Sequence, residues 1–131
     1  MSASILIVDD EVSILNSLSS ILEDEGYDVS VAKSGMEALK HCAMNPPELM
    51  MLDIWMPEMD GLETARRIRL LPGGGATMIV ALTANAFAEV RAHCLAEGLD
   101  DFLAKPYQPD GLFETVLRCL SRRPRATGVT A

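Results

Sequence analysis

The sequence predicts an α/β domain built on a five-stranded parallel sheet with helices on both faces. Five short apolar runs alternate along the 131 residues with longer segments whose apolar residues recur every three or four positions. The short runs lack the polar alternation of half-exposed strands, and continuous apolar runs are typical of strands buried on both faces of a sheet. Strands that alternate with helices favour a parallel sheet covered by its crossover helices.

The first strand and helix are predicted in the N-terminal segment. Residues 4–8 form a compact run of isoleucine, leucine and valine that ends abruptly at acidic residues. From Val12 the apolar residues lie on one helical stripe with polar residues opposite, and Gly26 stands where a left-handed residue closes a helix. The stripe consists of Leu15, Leu18, Ile21 and Leu22.

A second strand is predicted at residues 28–32, and a helix follows it. Ser34, with Glu37 three residues later, is typical of a capping box at the start of a helix. We expect this helix to reach about Ala43, because the proline pair at 46–47 cannot continue it.

The same alternation continues through the middle of the chain. Residues 49–52 predict a third strand, and residues 61–71 carry apolar side chains at helical spacing. A loop rich in proline and glycine at 72–75 leads to a fourth predicted strand at 78–82. Residues 85–97 predict the next helix, which a glycine closes.

The last strand and helix complete the domain. Residues 102–104 predict a short fifth strand, and Pro109 is placed to start the final helix. The composition changes at Ser121, where arginines, small residues and polar residues replace the apolar pattern. We therefore assign residues 1–120 to one domain and residues 121–131 to a disordered tail or linker. The residues of the final helix expected to face inward are Leu112, Val116, Leu117 and Leu120.

The charge balance excludes several classes of partner. The chain has 19 acidic and 11 basic residues, and its net charge is −8. Such an acidic chain is a poor general binder of nucleic acid, whose phosphates need a basic face, and a poor candidate for docking on an anionic membrane. Its apolar runs fall short of the roughly 18 residues of a membrane span, and no basic segment precedes the first one. We expect a cytoplasmic protein with no direct contact to nucleic acid and no membrane insertion.

The cysteines do not predict a metal site or a disulfide framework. Cys42, Cys94 and Cys119 are an odd number of widely spaced residues, each inside a segment with helical spacing. They have no C-x-x-C spacing and no nearby histidine pair. Buried free thiols in a reducing compartment are the expected arrangement.

Chemically active side chains concentrate at the ends of four predicted strands. The first strand ends at Asp9 and Asp10, the third at Asp53, the fourth at Thr83 and the fifth at Lys105. An aspartate at one such position is often only a helix cap. Because the carboxyl ends of parallel strands meet at one edge, where ligands of such sheets bind, the combination predicts a functional site.

These residue types fit a phosphoryl group and a divalent cation. Carboxylates that converge repel one another, and a hard cation bound through oxygen relieves the repulsion. Mg²⁺ is the expected cation and Mn²⁺ the alternative, since Mg²⁺ takes one or two carboxylates and keeps waters or phosphate oxygens as its other ligands. Lysine supplies a compact positive charge, threonine one hydroxyl donor, and aspartate a covalent acceptor.

Taken together, these motifs resemble the receiver domain of two-component response regulators. The resemblance extends from about residue 5 to residue 120, and the stretches at 82–86 and 98–102 are most similar to receivers of hybrid histidine kinases and phosphorelays. It implies a flavodoxin-like (βα)5 doubly wound sandwich with strand order 2-1-3-4-5. The motifs that carry it are VDDE at 8–11, DIWMP at 53–57 with DG at 60–61, ALTA at 81–84 and KP at 105–106.

The resemblance implies roles for the acidic residues. Asp53 matches the phosphoacceptor and also a ligand of the metal. Asp10 matches the direct magnesium ligand, and Asp9 matches its neighbour that acts largely through water. The backbone carbonyl of Trp55 would be a further ligand. Its bulky side chain beside the phosphoryl group is expected to screen attacking water.

The resemblance also implies a switch beyond the acceptor. Lys105 would hold the phosphoryl group, and Thr83 would turn its hydroxyl towards it after transfer. Phe102 occupies the aromatic switch position and, without the hydroxyl of a tyrosine, would act through packing alone. Ala84 and Pro106 complete their motifs, and the bond before Pro106 is expected to be cis.

The function implied is a phosphorylation-dependent switch rather than an enzyme in its own right. A histidine kinase or a histidine phosphotransfer protein would donate the phosphoryl group. The change would appear around the fourth helix, fifth strand and fifth helix, for a downstream protein or output domain. The chain is expected to be a monomer or a phosphorylation-dependent dimer. If it were excised from a hybrid histidine kinase, the parent protein would be a kinase.

Three other functions are compatible with part of the pattern. A haloacid-dehalogenase-type phosphohydrolase also forms an aspartyl phosphate, but it needs an acidic pair after the lysine, whereas Asp100 and Asp101 precede Lys105. A flavodoxin-like electron carrier has the same topology but needs a phosphate loop rich in serine and threonine after the first strand, and no such loop follows it here. A receiver that only binds partners would lack the acceptor or the lysine, and both are present.

Overall fold

Five parallel strands form one sheet in the order β2-β1-β3-β4-β5, and all four neighbouring pairs are parallel. The α/β class and the strand order expected from the sequence are confirmed. The computed structural model describes residues 3–54, 60–72, 74–83, 92, 95–96, 98–104 and 108–122. The strands are β1 (Ser4–Val8), β2 (Asp28–Ala32), β3 (Leu49–Asp53), β4 (Met78–Thr83) and β5 (Asp101–Ala104).

Helices connect the strands and lie on both faces of the sheet. The helix predicted over residues 85–97 falls mainly outside the described residues. Within that range only Ala92, Leu95 and Ala96 are described, and all three are helical. A short 3₁₀ turn, Gly74–Ala76, lies in the predicted loop before β4. The other helices are α1 (Val12–Asp24), α2 (Gly35–Met44), α3 (Gly61–Arg69) and α4 (Pro109–Arg122).

Alternate residues of each strand build two separate cores. In β1, Leu6 and Val8 join the core that α2 and α3 cover, while Ile5 and Ile7 join the core that α1 and α4 cover. Every residue of β3 and β4 is buried. This explains their unbroken apolar sequences, because no face of a central parallel strand reaches water.

The ends of the helices follow the local sequence signals. The Ser34 hydroxyl accepts a hydrogen bond from the Glu37 N–H at 3.2 Å, so the predicted cap of α2 is confirmed. The Glu37 carboxylate accepts a hydrogen bond from the N–H of Lys33 at 3.0 Å. In the usual capping box the donor is the N–H of the N-cap residue, here Ser34, which is one residue later. Gly26 has a φ of +92° after α1, in the left-handed region expected for it.

The buried stripe of α4 differs from the prediction at one position. Leu117 is 58% exposed, whereas Leu112, Val116 and Cys119 are buried in the core. The spacing of 112, 116 and 119 follows one helix face, and position 117 lies about 100° away from 116 around the axis. The predicted inward position of Leu117 is therefore wrong, and the small thiol of Cys119 takes that place.

The helix α4 also ends two residues beyond the predicted domain boundary. It continues to Arg122, since neither Ser121 nor Arg122 interrupts a helix. In the sequence after Arg122, Pro124 is the first residue that disfavours a helix. The tail assigned to residues 121–131 otherwise lies outside the described residues.

Two of the three cysteines are described, and both are buried free thiols as expected. Burial raises the pKa of the Cys42 thiol to about 11, because the interior disfavours its charged form. Cys94 lies outside the described residues. In the part of the chain that is described, no helix has the length and apolar character to cross a membrane.

Arg69, at the end of α3, joins three segments at the amino edge of the sheet. Its guanidinium donates to the carbonyl oxygens of Thr77 and Gly98 and to the Asp100 carboxylate, the last at 2.8 Å. The same Asp100 oxygen accepts the N–H of Ile79 in β4 at 2.8 Å. This network fixes the entry into β4 and β5, opposite the edge where the predicted site lies.

Candidate metal centre

The register of the central strands places two aspartates side by side at the carboxyl edge of the sheet. Val8 of β1 pairs with Leu52 of β3, so the next residues, Asp9 and Asp53, follow at the same level. Asp53 in turn pairs with Leu82 of β4. The convergence predicted from the strand ends therefore follows from parallel pairing of three neighbouring strands.

Three carboxylates form a compact cluster at this edge. One oxygen from each of Asp9, Asp10 and Asp53 lies within 4.8 Å of the other two. Asp9 and Asp53 are buried, with exposures of 0% and 4%, whereas Asp10 is exposed. The first two are therefore shielded from solvent, and the third opens the cluster to it.

The cluster fits a hard divalent cation. Its donors are all carboxylate oxygens, the ligand type that Mg²⁺ and Mn²⁺ take. Burying like charges at this distance is costly unless a positive charge compensates them. One exposed carboxylate leaves room for the waters or phosphate oxygens that Mg²⁺ retains in protein sites. Asp9, Asp10 and Asp53 are thus suited to hold the expected metal.

Asp9 is fixed by the turn between β1 and α1. Its N–H donates to the carbonyl oxygen of Ala32 at 3.1 Å, which extends the pairing with β2 by one residue. Its carboxylate accepts the N–H of Glu11 at 3.0 Å. Glu11 is the N-cap residue of α1 and makes no side-chain cap of its own, so Asp9 supplies an acceptor at this helix start.

The main chain after Asp53 is held from two sides. The N–H of Ile54 donates to the carbonyl oxygen of Leu82 in β4 at 3.1 Å. The carbonyl oxygen of Ile54 accepts the N–H of Gly61, the first residue of α3, at 2.9 Å. Asp60 caps this helix by accepting the N–H of Glu63 at 2.9 Å. The segment that carries Asp53 is therefore tied to β4 and to α3.

Thr83 and Phe102 lie on the same face of the sheet. Phe102 pairs with Ala81 of β4, and Ala81 and Thr83 are two residues apart on that strand, so their side chains share one face. Thr83 is completely buried at the end of β4. Phe102 is half-buried and packs against the core on the α2 and α3 side. The two residues predicted as the switch are thus neighbours across one strand pair.

Four of the predicted site residues lie outside the described residues, namely Trp55, Ala84, Lys105 and Pro106. Their roles stay predictions. Of the described site residues, the structure brings Asp9, Asp10 and Asp53 together as expected. Gly61 belongs to one of the motifs, but the sequence assigns it no role, because its close approach to Asp53 is a tertiary contact.

Comparison with known proteins identifies what the chain is similar to. The family model described as the response regulator receiver domain matches residues 5–117. Response regulator MprA of Mycobacterium ulcerans is 38% identical over 125 residues, which cover 95% of this chain and 53% of MprA. The chain therefore spans about half the length of that relative.

Solved structures agree with this similarity. The chemotaxis protein CheY4 of Vibrio cholerae superposes with a TM-score of 0.87 at 33% identity and covers 91% of this chain and 99% of its own. The receiver domain of sensor histidine kinase PA1611 from Pseudomonas aeruginosa superposes with a TM-score of 0.84 at 30% identity and covers 92% and 99%. That structure has a magnesium ion coordinated in its active-site cleft.

Proposed function

Because the chain belongs to the response regulator receiver domain family, we propose that it accepts a phosphoryl group on Asp53 from a phosphohistidine and changes its interaction surface in response. One observation carries the proposal. The buried Asp53 ends the central strand β3, with the oxygens of Asp9 and Asp10 within 4.8 Å. A histidine kinase or a histidine phosphotransfer protein is the proposed donor.

The transfer is a displacement at phosphorus. A carboxylate oxygen of Asp53 attacks the phosphorus atom of the donor, a P–O bond forms, and the P–N bond breaks. The imidazole of the donor leaves with the electron pair of that bond. The protein contributes chiefly by holding the acceptor in line with the donor, which the ties of Ile54 to β4 and α3 support.

Asp9, Asp10 and Asp53 would hold Mg²⁺, with Mn²⁺ as the alternative cation. When bound, the metal supplies positive charge that neutralises the acceptor and the oxygens of the transferred group. The backbone carbonyl of Trp55 is proposed as a further ligand. The magnesium ion in the PA1611 receiver, a protein of similar fold, supports the choice of metal.

The response to phosphorylation is proposed to pass through Thr83 and Phe102. The hydroxyl of Thr83 would donate to the new phosphoryl group, and Lys105 would pair with its charge. Phe102 lies on the same sheet face as Thr83, so a shift of one changes the space available to the other. The surface around β5 and α4 would then present a different shape to its partner, and the helix predicted over residues 85–97 is proposed to take part.

This function is a switch that assists its own phosphorylation and dephosphorylation, in a cytoplasmic phosphorelay. The readout would be a downstream protein or an output domain. MprA, which is named a response regulator, is about twice as long as the matched region. The additional length supports the proposal that an output segment accompanies the receiver domain in some relatives. Parentage in a hybrid histidine kinase is the alternative, and the match to the PA1611 receiver supports it.

Phosphorylation with a small donor tests the proposal. Incubated with Mg²⁺ and acetyl phosphate, the protein is expected to gain an acid-stable, base-labile phosphoryl group that Asp53→Asn abolishes. Excess EDTA should also prevent it. Labelling of Asp53→Asn at the wild-type level would show that the acceptor is wrong. Steady hydrolysis of a phosphate monoester by the wild type, dependent on Asp9, would instead favour the phosphohydrolase alternative.

A further inference from the structure

We infer that Gly61 is a positioning residue of the phosphoacceptor site, because its missing side chain lets the start of α3 lie directly on the main chain of Asp53. The inference rests on the function proposed above for its chemistry. It assigns to a residue of α3 the task of holding the acceptor carboxylate beside Asp9 and Asp10.

The space at Gly61 is closed by backbone atoms. A Cβ built on Gly61 would lie 2.4 Å from the carbonyl oxygen of Asp53, 2.8 Å from the Cα of Ile54 and 3.1 Å from the carbonyl carbon of Asp53. Contacts under 3.0 Å essentially never occur at real Cβ atoms. No side chain can rotate away to relieve them, so any other residue must displace the main chain itself.

Steric space, and not backbone conformation, excludes a side chain at this position. The described glycines with positive φ are Gly26 and Gly98, and Gly61 is not among them. Gly61 is buried as the first residue of α3, where most residue types are compatible with helical geometry. The reason for glycine is therefore the close approach to Asp53.

The displacement would reach the carboxylate cluster. The Gly61 N–H holds the Ile54 carbonyl at 2.9 Å, and the Asp60 cap fixes the beginning of α3. On the other side, the Ile54 N–H is bound to β4. The segment has little freedom to absorb a methyl group, so Asp53 must move relative to Asp9 and Asp10.

The test compares Gly61→Ala with two matched glycine variants. In Gly61→Ala, the rate of phosphorylation by acetyl phosphate is expected to fall about 10–100-fold relative to the wild type, the loss typical of a reacting group misplaced by about 1 Å. The Mg²⁺ dissociation constant, measured by isothermal titration calorimetry, is expected to rise about tenfold, as for other changes that misorient metal ligands. The calorimetric measurement needs no phosphoryl transfer.

The controls separate positioning from stability. Gly75→Ala meets no atom within 4 Å and should leave Mg²⁺ affinity, phosphorylation rate and melting temperature unchanged. Gly98→Ala is strained by its φ of +97° at the opposite edge of the sheet. It should lower the melting temperature while both site measurements stay at the wild-type level.

Three results would overturn the inference. They are wild-type Mg²⁺ affinity and phosphorylation rate in folded Gly61→Ala, equal losses in Gly98→Ala, and a Gly61→Ala chain that stays unfolded even with sucrose as a stabilising osmolyte. The last would make Gly61 a requirement of the fold. Failure of the wild type to label on Asp53 would contradict the proposed function instead, and the Mg²⁺ titration would still report on Gly61.

Discussion

At the scale of single residues, the site depends on carboxylates that differ in their surroundings. Asp9 is buried and fixed through the Glu11 N–H, whereas Asp10 is open to solvent. A buried, fixed ligand limits the geometry of a metal, and an exposed one can adjust to it. Asp9 is therefore suited to set the position of a bound metal, and Asp10 is suited to adjust to it.

Neutralising either neighbour should weaken the stabilisation that Mg²⁺ gives. At a concentration one hundred times the dissociation constant, Mg²⁺ should raise the free energy of unfolding of the wild type by about 2.7 kcal/mol. Asp9→Asn and Asp10→Asn each remove one charged ligand, and a tenfold weaker affinity would reduce that increment by about 1.3 kcal/mol. Thermal unfolding with and without Mg²⁺ measures the effect.

Asp28→Asn is the control, since Asp28 is an exposed carboxylate at the amino end of β2. Its Mg²⁺ increment should equal that of the wild type. If Asp9→Asn and Asp10→Asn also keep the full increment, the metal does not bind at this cluster.

Trp55 carries a prediction that comes from the sequence. It stands two positions after the acceptor, and its bulk is expected to keep water from the phosphoryl group. Trp55→Asn should therefore lose its phosphoryl group several times faster than the wild type, while Trp55→Phe keeps an aromatic ring and a slow rate. Release of phosphate from purified phosphoprotein gives both rates, and equal rates in Trp55→Asn and wild type would refute the screening role.

At the scale of elements, the two edges of the sheet are held by different interactions. The carboxyl edge presents repelling carboxylates, whereas the amino edge is tied together by Arg69, Asp100 and the main chain around them. Arg69 is only partly exposed, and it donates to two carbonyl oxygens as well as to a carboxylate. Stability and site chemistry are thus placed at opposite ends of the strands.

Removal of the Arg69 side chain should destabilise the fold without affecting the site. Arg69→Ala is expected to lower the free energy of unfolding by about 2 kcal/mol, because hydrogen bonds to charged groups contribute more than neutral ones and Asp100 loses its charged partner while keeping the Ile79 N–H. Urea denaturation measures the loss, and the Mg²⁺ dissociation constant should not change.

Arg66→Ala is the matched control on the same helix. Arg66 pairs with Glu63 on the exposed surface of α3. Such pairs contribute roughly 0–1 kcal/mol, so the variant should be close to the wild type. Equal losses in Arg69→Ala and Arg66→Ala would show that the amino-edge network does not contribute specially to stability.

At the scale of the whole molecule, the sequence predicted what depends on local patterns. The buried strands were predicted because β3 and β4 are apolar at every position but the last. The cluster of Asp9, Asp10 and Asp53 was predicted because these residues follow the strand ends. Local patterns did not place Leu117 outside and Cys119 inside, since both fit a broad apolar stripe. The exact face of α4 is set by packing.

Tertiary contacts account for the other residues that the sequence did not reveal. The sequence around Arg69 does not distinguish it from an ordinary surface arginine of a helix. Its hydrogen-bond partners come from segments up to 31 positions away along the chain. The role of Gly61 depends on how closely α3 approaches β3, which no spacing along the sequence expresses. Both residues became visible only once the strands and helices were in place.

Direct mapping of the phosphoryl group tests the central claim. The wild-type protein is treated with acetyl phosphate and Mg²⁺, reduced with borohydride, which converts an aspartyl phosphate to homoserine, and analysed by peptide mass spectrometry. Homoserine at position 53 alone is the predicted result. Homoserine at Asp9 or Asp10, or a label on another residue type, would contradict the account of Asp53 as the acceptor.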